Sequence, residues 1–443
     1  MLSKYIRSLM EEQGKIPFVT AVLMNINVIV GVGIYFLPQM MVRQAGAFSF
    51  LGWIAAGELL LPVVLTVATA ARMFPGAGGF YNYGTSGLNQ TAGFTALWVY
   101  MLGFLATAAA QLMFLKQLMT VNAGFNAIAA VPVVANFVLV LLIALLNLFD
   151  VSIISKIQGF VTVLKLLPMV LAIGLLVFYW NPSLAYKTSD LAGVGSILPM
   201  AIFGYWGFES CTSISHLIKG GSAKASGVIL TAFFITMALY CLFHFSVSHI
   251  MGIDAIAAQG AVGFTSFLGF ANPKITTMLG GGIILALMLA LFNAAYGVSL
   301  GNAANMFSLA NKNHLIGSQA LVKVNSVERP YVIVFFQALV VFALMTFVAN
   351  EQVLVALSNF GLITAFLITT FAVLKTQIVR RESFIGKLIS IVSIAASCVL
   401  AYYTWNMIGA DNLVRMTNTV PFIIGLVGGL GMFYFKKSCS SSC

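Results

Sequence analysis

The chain has 443 residues, 60% of them hydrophobic and only 7% charged, which excludes a soluble globular domain. Its net charge of +11 has no soluble domain to collect it, which argues against a nucleic-acid-binding surface. A helix needs about 20 apolar residues to cross the hydrocarbon core, and the sequence supplies roughly a dozen such runs. Barrel strands would show segments of about ten alternating residues, whereas these runs are long and continuous. The composition therefore reads as an all-α integral membrane protein with about 12 transmembrane helices.

In chain order, the leader "MLSKYIRSLMEEQGKIP" is amphipathic and charged and lacks an apolar core with a cleavage site, so 1–16 is expected as a cytoplasmic segment. Spans are expected near 17–41, 48–72, 92–118, 125–149, 154–180, 194–218, 226–250, 276–308, 331–349, 353–374, 386–408 and 419–435. The longest polar interruptions, near 181–193, 251–275 and 309–330, are too short for a soluble domain, so function must reside in the bundle. Sixteen Lys and Arg fall on segments that are cytoplasmic if the N-terminus is inside, against Arg43, Lys187, Lys274 and Arg415 opposite, with Lys116 and Lys165 inside helices. This asymmetry predicts both termini in the cytoplasm, and the membrane is expected to be a bacterial inner (plasma) membrane. The five cysteines form no metal spacing. Cys211, Cys241 and Cys398 read as small helix residues, and Cys439 and Cys443 as a free or lipidated tail.

Two spans carry weak points. In "NVIVGVGIYFLP", Asn27 to Pro38, two glycines flank Val32 and a proline follows. In "PMAIFGYWGFESCTSISHLIKGG", Pro199 to Gly221, Gly204 and Gly207 precede Glu209 and a polar run at membrane depth. Interrupted helices at corresponding places in two halves point to a transporter with repeats and a midplane site. Five helices per repeat, an odd number, would invert the second half. The expected organisation is a ten-helix core over 17–374, with repeats of about 17–180 and 194–374, then two further helices over 375–435 and a cytoplasmic tail at 436–443.

"GVGIYFLP" resembles the glycine-rich first-helix motif of the amino acid–polyamine–organocation transporter superfamily. "FPGAGGFYNYGTSGLNQTAGFTALWVYMLGF", Phe74 to Phe104, resembles the loop after that family's second helix, with its P-x-A-G-G-x-Y-x-Y core, and "GFESCTSISHLIK" its sixth-helix G-x-E-S segment. The likeness covers the first eight helices; spans nine to twelve fit mainly in number and length. It implies a leucine-transporter-like core of five plus five helices, with helices 1 and 6 discontinuous. It also implies a secondary active transporter of amino acids or derived amines working by alternating access. That transporter is either proton-coupled or an amino acid/amine exchanger without proton coupling, with the lipid bilayer and a homodimer as further partners and no cofactor or metal.

Residue roles follow from the resemblance beside a reading of each residue itself. An unwound "GVGIY" would free N–H groups at a half-helix N-terminus, where a negative charge is favoured. The resemblance gives the N–H groups of Val32, Gly33 and Ile34 to a substrate carboxylate, and carbonyls near Ile29 and Phe203 to its ammonium. The alternative is a small-residue packing groove. Some basic amino acid antiporters carry serine between these glycines, where this chain has Val32. Phe203 matches a family aromatic that closes over bound substrate as a gate, with lipid or core packing as its alternative; Trp206 and Gly207 follow on the same span as further substrate-binding candidates, Trp206 reading better as packing. Glu209, a carboxylate inside an apolar helix, costs about 2.5–3.5 kcal/mol on insertion scales if charged. It is read either as a proton-exchanging group or as a structural acid tying span six to its neighbours. Lys165 stands in a T-x-x-K-L setting, Thr162 to Leu166, where proton-coupled relatives carry a lysine in place of sodium. The alternative for Lys165 is snorkelling to an interface.

Asn293 and Tyr296 on span eight suit the lining of a pathway, while Asn302 and Asn305 align only loosely with polar family positions. Glu58 and Lys116 are either functional or paired with neighbours, and His244 and His249 read as structural. A membrane-embedded enzyme would need a cluster such as H-E-x-x-H, a channel a continuous polar ring, and an ATP-driven pump a G-x-x-x-x-G-K-[ST] loop; the sequence contains none of these motifs.

Overall fold

Hydrocarbon offers backbone N–H and C=O groups no partner, so a chain crossing it must pair them internally. The computed structural model describes residues 16–31, 33–74, 78–121, 125–149, 151–181, 184–212, 218–219, 221–261, 263–264 and 273–441. Among them the chain is helical throughout, with one isolated bridge between Ile16 and Ile218 and no strand. The main helices are α1 (Phe18–Ile29), α2 (Gly33–Ala45), α3 (Leu51–Met73), α4 (Gly79–Gly87), α5 (Gln90–Val121), α6 (Pro132–Leu146) and α7 (Val151–Leu175). They continue with α8 (Leu198–Tyr205), α9 (Ser222–Met251), α10 (Pro273–Asn311), α11 (Tyr331–Ala343), α12 (Glu351–Val379), α13 (Phe384–Met407) and α14 (Asn412–Ser441).

Local chemistry sets several of their ends. Prolines in the first turns of α6 and α8 sit where the missing N–H has no intrahelical partner to lose. Asn350 caps α12 by accepting from Val353 N, and Ser383 caps α13 by accepting from Gly386 N.

The helices divide into a centre and a rim. In α5, 89% of the apolar window is buried, and in α12 78%, against 17% in α14. These two central helices touch backbone to backbone: a Cβ on Gly361 would lie 2.5 Å from Val99 O and 2.6 Å from Gly103 Cα. Beside that crossing the hydroxyls of Thr107 and Ser358 are 2.7 Å apart. Close backbone approach and buried hydroxyl pairs hold helices together in lipid, where apolar burial from water does not.

By length and composition, eight helices among the described residues can cross a membrane, or nine if Thr188–Val194 and Leu198–Thr212, bent by 53°, form one span. The protein is thus a multi-pass membrane protein. The length test falls below the twelve expected runs chiefly where helices are interrupted or short: the first run is split into α1 and α2, the sixth stops at Tyr205, and α6 is only 15 residues long. At the far end α14 continues through Lys436 and Lys437 to Ser441, past the expected end of the last span. Cations at a helix C-terminus favour that continuation. Cys439 is exposed there, and Cys443 lies outside the described residues.

Both histidines read as structural have partners. Trp53 Nε1 donates to His244 Nδ1 at 2.9 Å, and Ser49 Oγ lies 3.1 Å from its Nε2. His249 stacks on Trp180 with its Nε2 3.0 Å from Tyr186 Oη. Lys116 donates to Asn136 Oδ1 at 3.0 Å, while Glu58 is exposed on the outer face of α3.

Because even one methyl has no room at the central crossing, Gly361→Ala is expected to cost about 1–3 kcal/mol of stability through overpacking. Thermal unfolding of the purified protein, followed by size-exclusion chromatography, should show a lowered transition; an unchanged one would mean that α5 and α12 do not touch there.

Candidate functional site

The site is built from two interruptions that meet. α1 ends at Ile29, after which Val30 N bonds Ile26 O at 2.7 Å and Gly31 N turns back to Ile29 O at 2.6 Å. α2 starts at Gly33, so the N–H groups of its first turn have no intrahelical acceptor. In the sixth run α8 ends at Tyr205, Trp206 takes ψ 137 and Gly207 takes φ +107, and a 3₁₀ turn follows over Ser210–Thr212. A Cβ at Gly207 would lie 2.8 Å from Val28 Cγ1 and 3.2 Å from Val28 O, so only glycine permits both this backbone angle and this approach to α1.

Side chains of α1 itself and of other helices pair what the breaks expose. Asn25, only 1% exposed, donates to Phe208 O at 2.9 Å and accepts from Ser210 Oγ at 2.7 Å and Cys211 N at 3.3 Å, tying α1 to the unwound part of the sixth run. From α9, Tyr240 Oη lies 2.8 Å from Ile29 O and 3.0 Å from Gly204 O, so one hydroxyl serves a carbonyl at each break. From α7, Lys165, 3% exposed, donates through Nζ to Asn27 O at 2.5 Å. The Lys165 backbone carbonyl in turn accepts from the hydroxyl of Tyr35 on α2. One residue of α7 therefore grips the first run on both sides of its break.

The sequence-derived candidates divide accordingly. Gly33 and Ile34 open α2, and Val32 lies outside the described residues. Phe203 packs at the break, since a Cβ on Gly33 would be 3.7 Å from its ring. Ile29 O is already engaged by Gly31 N and Tyr240. Trp206 donates its indole N–H to Asn359 Oδ1 at 2.7 Å, and Asn359 donates to Pro199 O at 3.0 Å, so Trp206 is anchored to α12. Glu209 is fully buried; Tyr100 Oη donates to its Oε1 at 2.9 Å and Gly207 N to its Oε2 at 3.1 Å. Lys165 does not snorkel. Nothing is described of the Thr162 side chain. Tyr296 is buried with its hydroxyl unpaired among the described residues, Asn293 is half-buried, and Asn302 binds Met101 O on α5.

Asn25, Tyr35, Tyr240 and Gln111 escape a reading of the sequence. A buried hydroxyl or amide needs a partner, which is the one signal that Asn25 and Tyr240 offer inside their apolar runs. Gln111 on α5 places its amide beside Gly31, 3.8 Å from where a Cβ would stand, and its buried Oε1 has no partner among the described residues. Towards the Arg43 end of α2, the rings of Phe36 and Phe114 stack at 5.2 Å and line a recess of about 240 Å³ that also holds Arg43 and Glu351.

Comparison with known proteins matches residues 16–430 to the family described as Amino acid permease. The chain is 24% identical over 311 residues to the aromatic amino acid transport protein AroP of Corynebacterium glutamicum, covering 66% of this chain and 65% of that one. It is 23% identical over 429 residues to an uncharacterized transporter of Mycobacterium bovis, covering 87% of each. A third relative, the L-lysine transport protein of Corynebacterium glutamicum, is 26% identical over 225 residues, 48% of this chain and 45% of its own length. The chain thus spans less than two thirds of the aromatic and lysine transporters.

Removing the hydroxyl that serves both breaks should loosen them. Tyr240→Phe is expected to destabilise the protein by about 1–3 kcal/mol, the cost of leaving buried carbonyls short of a donor. The same thermal-unfolding assay measures it, and a variant as stable as the parent would show that the bridge contributes nothing.

Proposed function

The chain belongs to the amino acid permease family, and on that footing we propose that it is a secondary active transporter that moves an amino acid, or an amine derived from one, by alternating access coupled to protons. The observation that carries this reading is the double grip of Lys165 across the break between α1 and α2. An ammonium buried in an apolar bundle is costly, and here its charge is spent on the carbonyl of Asn27, near the end of the half-helix that must move if the site is to open on the cytoplasmic side. A proton can shift a conformational equilibrium only through different affinities for the two states. Lys165 supplies that difference: protonated, it holds α1 against α7; neutral, it weakens the hold. Glu209 is the second proton candidate, bridging α5 and the break of the sixth run through Tyr100 and Gly207.

In this reading the fold is a twelve-span bundle with both termini cytoplasmic, in a bacterial inner membrane, able to form a homodimer. Its core over 17–374 holds inverted repeats of about 17–180 and 194–374, followed by two helices and a short tail. The N–H groups at Val32, Gly33 and Ile34 receive the substrate carboxylate, as dipoles at a helix N-terminus favour. Because Ile29 O already has two donors, Gln111 Oε1 is the acceptor left for the ammonium beside the carbonyl of Phe203. Phe203 closes over the bound molecule, Trp206 and Gly207 shape the same break, and Asn293 and Tyr296 line the way out. Glu209 is fully buried with a donor on each oxygen, and neutral, aromatic and cationic amino acids remain alternatives as the substrate. The family and the relatives are transporters, which points away from an enzyme.

The test is uptake of a panel of labelled amino acids into liposomes under an imposed pH gradient, with valinomycin clamping the voltage. The parent protein should accumulate its substrate. Lys165→Met, which keeps much of the stem, should lose gradient-driven accumulation about tenfold or more, as expected for a hydrogen bond to a charged group, while still binding substrate. Accumulation surviving in Lys165→Met would remove the lysine from coupling, and a parent that takes up label only against internal amino acid would be an exchanger.

A further inference from the structure

The recess at the Arg43 end of α2 continues the line of the breaks. On α2, Gly33, Phe36 and Arg43 are spaced by three and seven residues, and on α5, Gln111, Phe114 and Gln117 by three each, so each set follows one helix face. The two faces run side by side in the same direction, since Gln111 lies beside Gly31 and the rings of Phe36 and Phe114 stack at 5.2 Å. Both rings are buried, and the pair forms a floor between the break and the recess of about 240 Å³ beyond it. Part of the wall comes from α5 and α12, the central helices, so the recess lies on the bundle axis and away from the lipid-facing rim. With both termini cytoplasmic it opens on the outer face.

Its wall is mostly polar, and its two charged side chains are reachable and held. Arg43 is exposed and spends one N–H on Ala257 O at 2.7 Å, out of the five a guanidinium carries. Glu351 is half-buried; its Oε1 accepts from Gln117 Nε2 at 2.8 Å, and its Oε2 has no hydrogen bond among the described residues. Arg43 and Glu351 do not bond each other, and Lys116 gives its hydrogen bond to Asn136 instead. Opposite charges that line one recess unjoined suit a ligand that carries both. A simple anion would meet the Glu351 carboxylate and a simple cation the Arg43 guanidinium, each a like-charge contact that costs affinity. A zwitterion gives each a partner, and a guanidinium fork matches a carboxylate in geometry. The recess exceeds the cavity of about 150 Å³ that admits benzene in an engineered core, and the aromatic floor offers apolar surface to a side chain.

We propose that this recess is a second binding site, for a free amino acid in its zwitterionic form, with the ligand carboxylate on Arg43, its ammonium on Glu351 and the Phe36–Phe114 pair between it and the breaks. The ligand class rests on the amino acid transport reading; the location does not.

The full-length protein in lipid nanodiscs is photolabelled with a diazirine-bearing L-leucine analogue and, separately, with the same compound lacking its carboxylate or lacking its ammonium; labelled peptides are mapped by mass spectrometry. Because the recess reads the two backbone charges, the analogue should label Phe36–Arg43, Phe114–Gln117 or Asn350–Gln352 whatever side chain the breaks accept. It should do so about tenfold more than either singly charged compound, in line with one hydrogen bond to a charged group. Arg43→Gln should erase that preference. Glu351→Gln, which keeps the side-chain size, should erase it too and serves should Arg43→Gln fail to insert. Recess labelling without label at Gly31–Ile34 would uphold this site while removing support for a substrate site at the breaks. Label confined to Gly31–Ile34, equal labelling by the three compounds, or a preference undiminished in both variants would overturn the recess site.

Discussion

A helix broken inside a membrane persists only if the protein itself supplies partners for the backbone groups it releases. That constraint organises this molecule. Asn25 serves the unwound stretch after Trp206, Tyr240 serves a carbonyl at each break, and Lys165 binds α1 through its ammonium and α2 through its own carbonyl. Tyr240 and Lys165 come from other helices and Asn25 from α1 itself, so the breaks are held in place while remaining breaks. The contact of Gly207 with Val28 then brings the two interruptions together, as two half-helix termini must be if one small molecule is to meet both.

The surrounding helices divide the labour. α5 and α12, fused by the backbone contact at Gly103 and Gly361, form a stiff centre that carries Tyr100, Gln111 and Asn359 to the site. α9 contributes Tyr240 and, on the same face, His244, held by Trp53 of α3 and Ser49. Against this frame α1 is short, exposes Val19, Leu23 and Val28 to its surroundings, packs Ala21, Val22, Ile26 and Ile29 into the core, and is tied as well by polar bonds to its carbonyls and to Asn25.

Much of this was legible in the sequence, and the remainder was not for definable reasons. Glycines 31, 33 and 207 mark candidate breaks because backbone freedom is one of the two reasons to place them in apolar runs, and Lys165 and Glu209 stand out because charges inside such runs are costly. The family resemblance carried by the loop at Phe74–Phe104 agrees with the match over 16–430. Partners were invisible: a tyrosine in an aromatic-rich helix gives no hint that its hydroxyl crosses to two carbonyls 211 and 36 residues away. Trp206 and Phe203 are three residues apart, yet one is anchored to Asn359 and the other packs against Gly33, a distinction set by the turn after Tyr205. Span counting by length fails at these places because a broken helix is shorter than a membrane.

The central claim is that the Lys165 ammonium holds α1 against α7. Hydrogen–deuterium exchange of the full-length protein in lipid nanodiscs at neutral pH, read over residues 18–31, tests it directly when the parent is compared with Lys165→Met. The account predicts exchange about tenfold faster in that segment of the variant, the consequence of losing a hydrogen bond from a charged donor, with α12 unchanged. Identical exchange over 18–31 in the two proteins would contradict it.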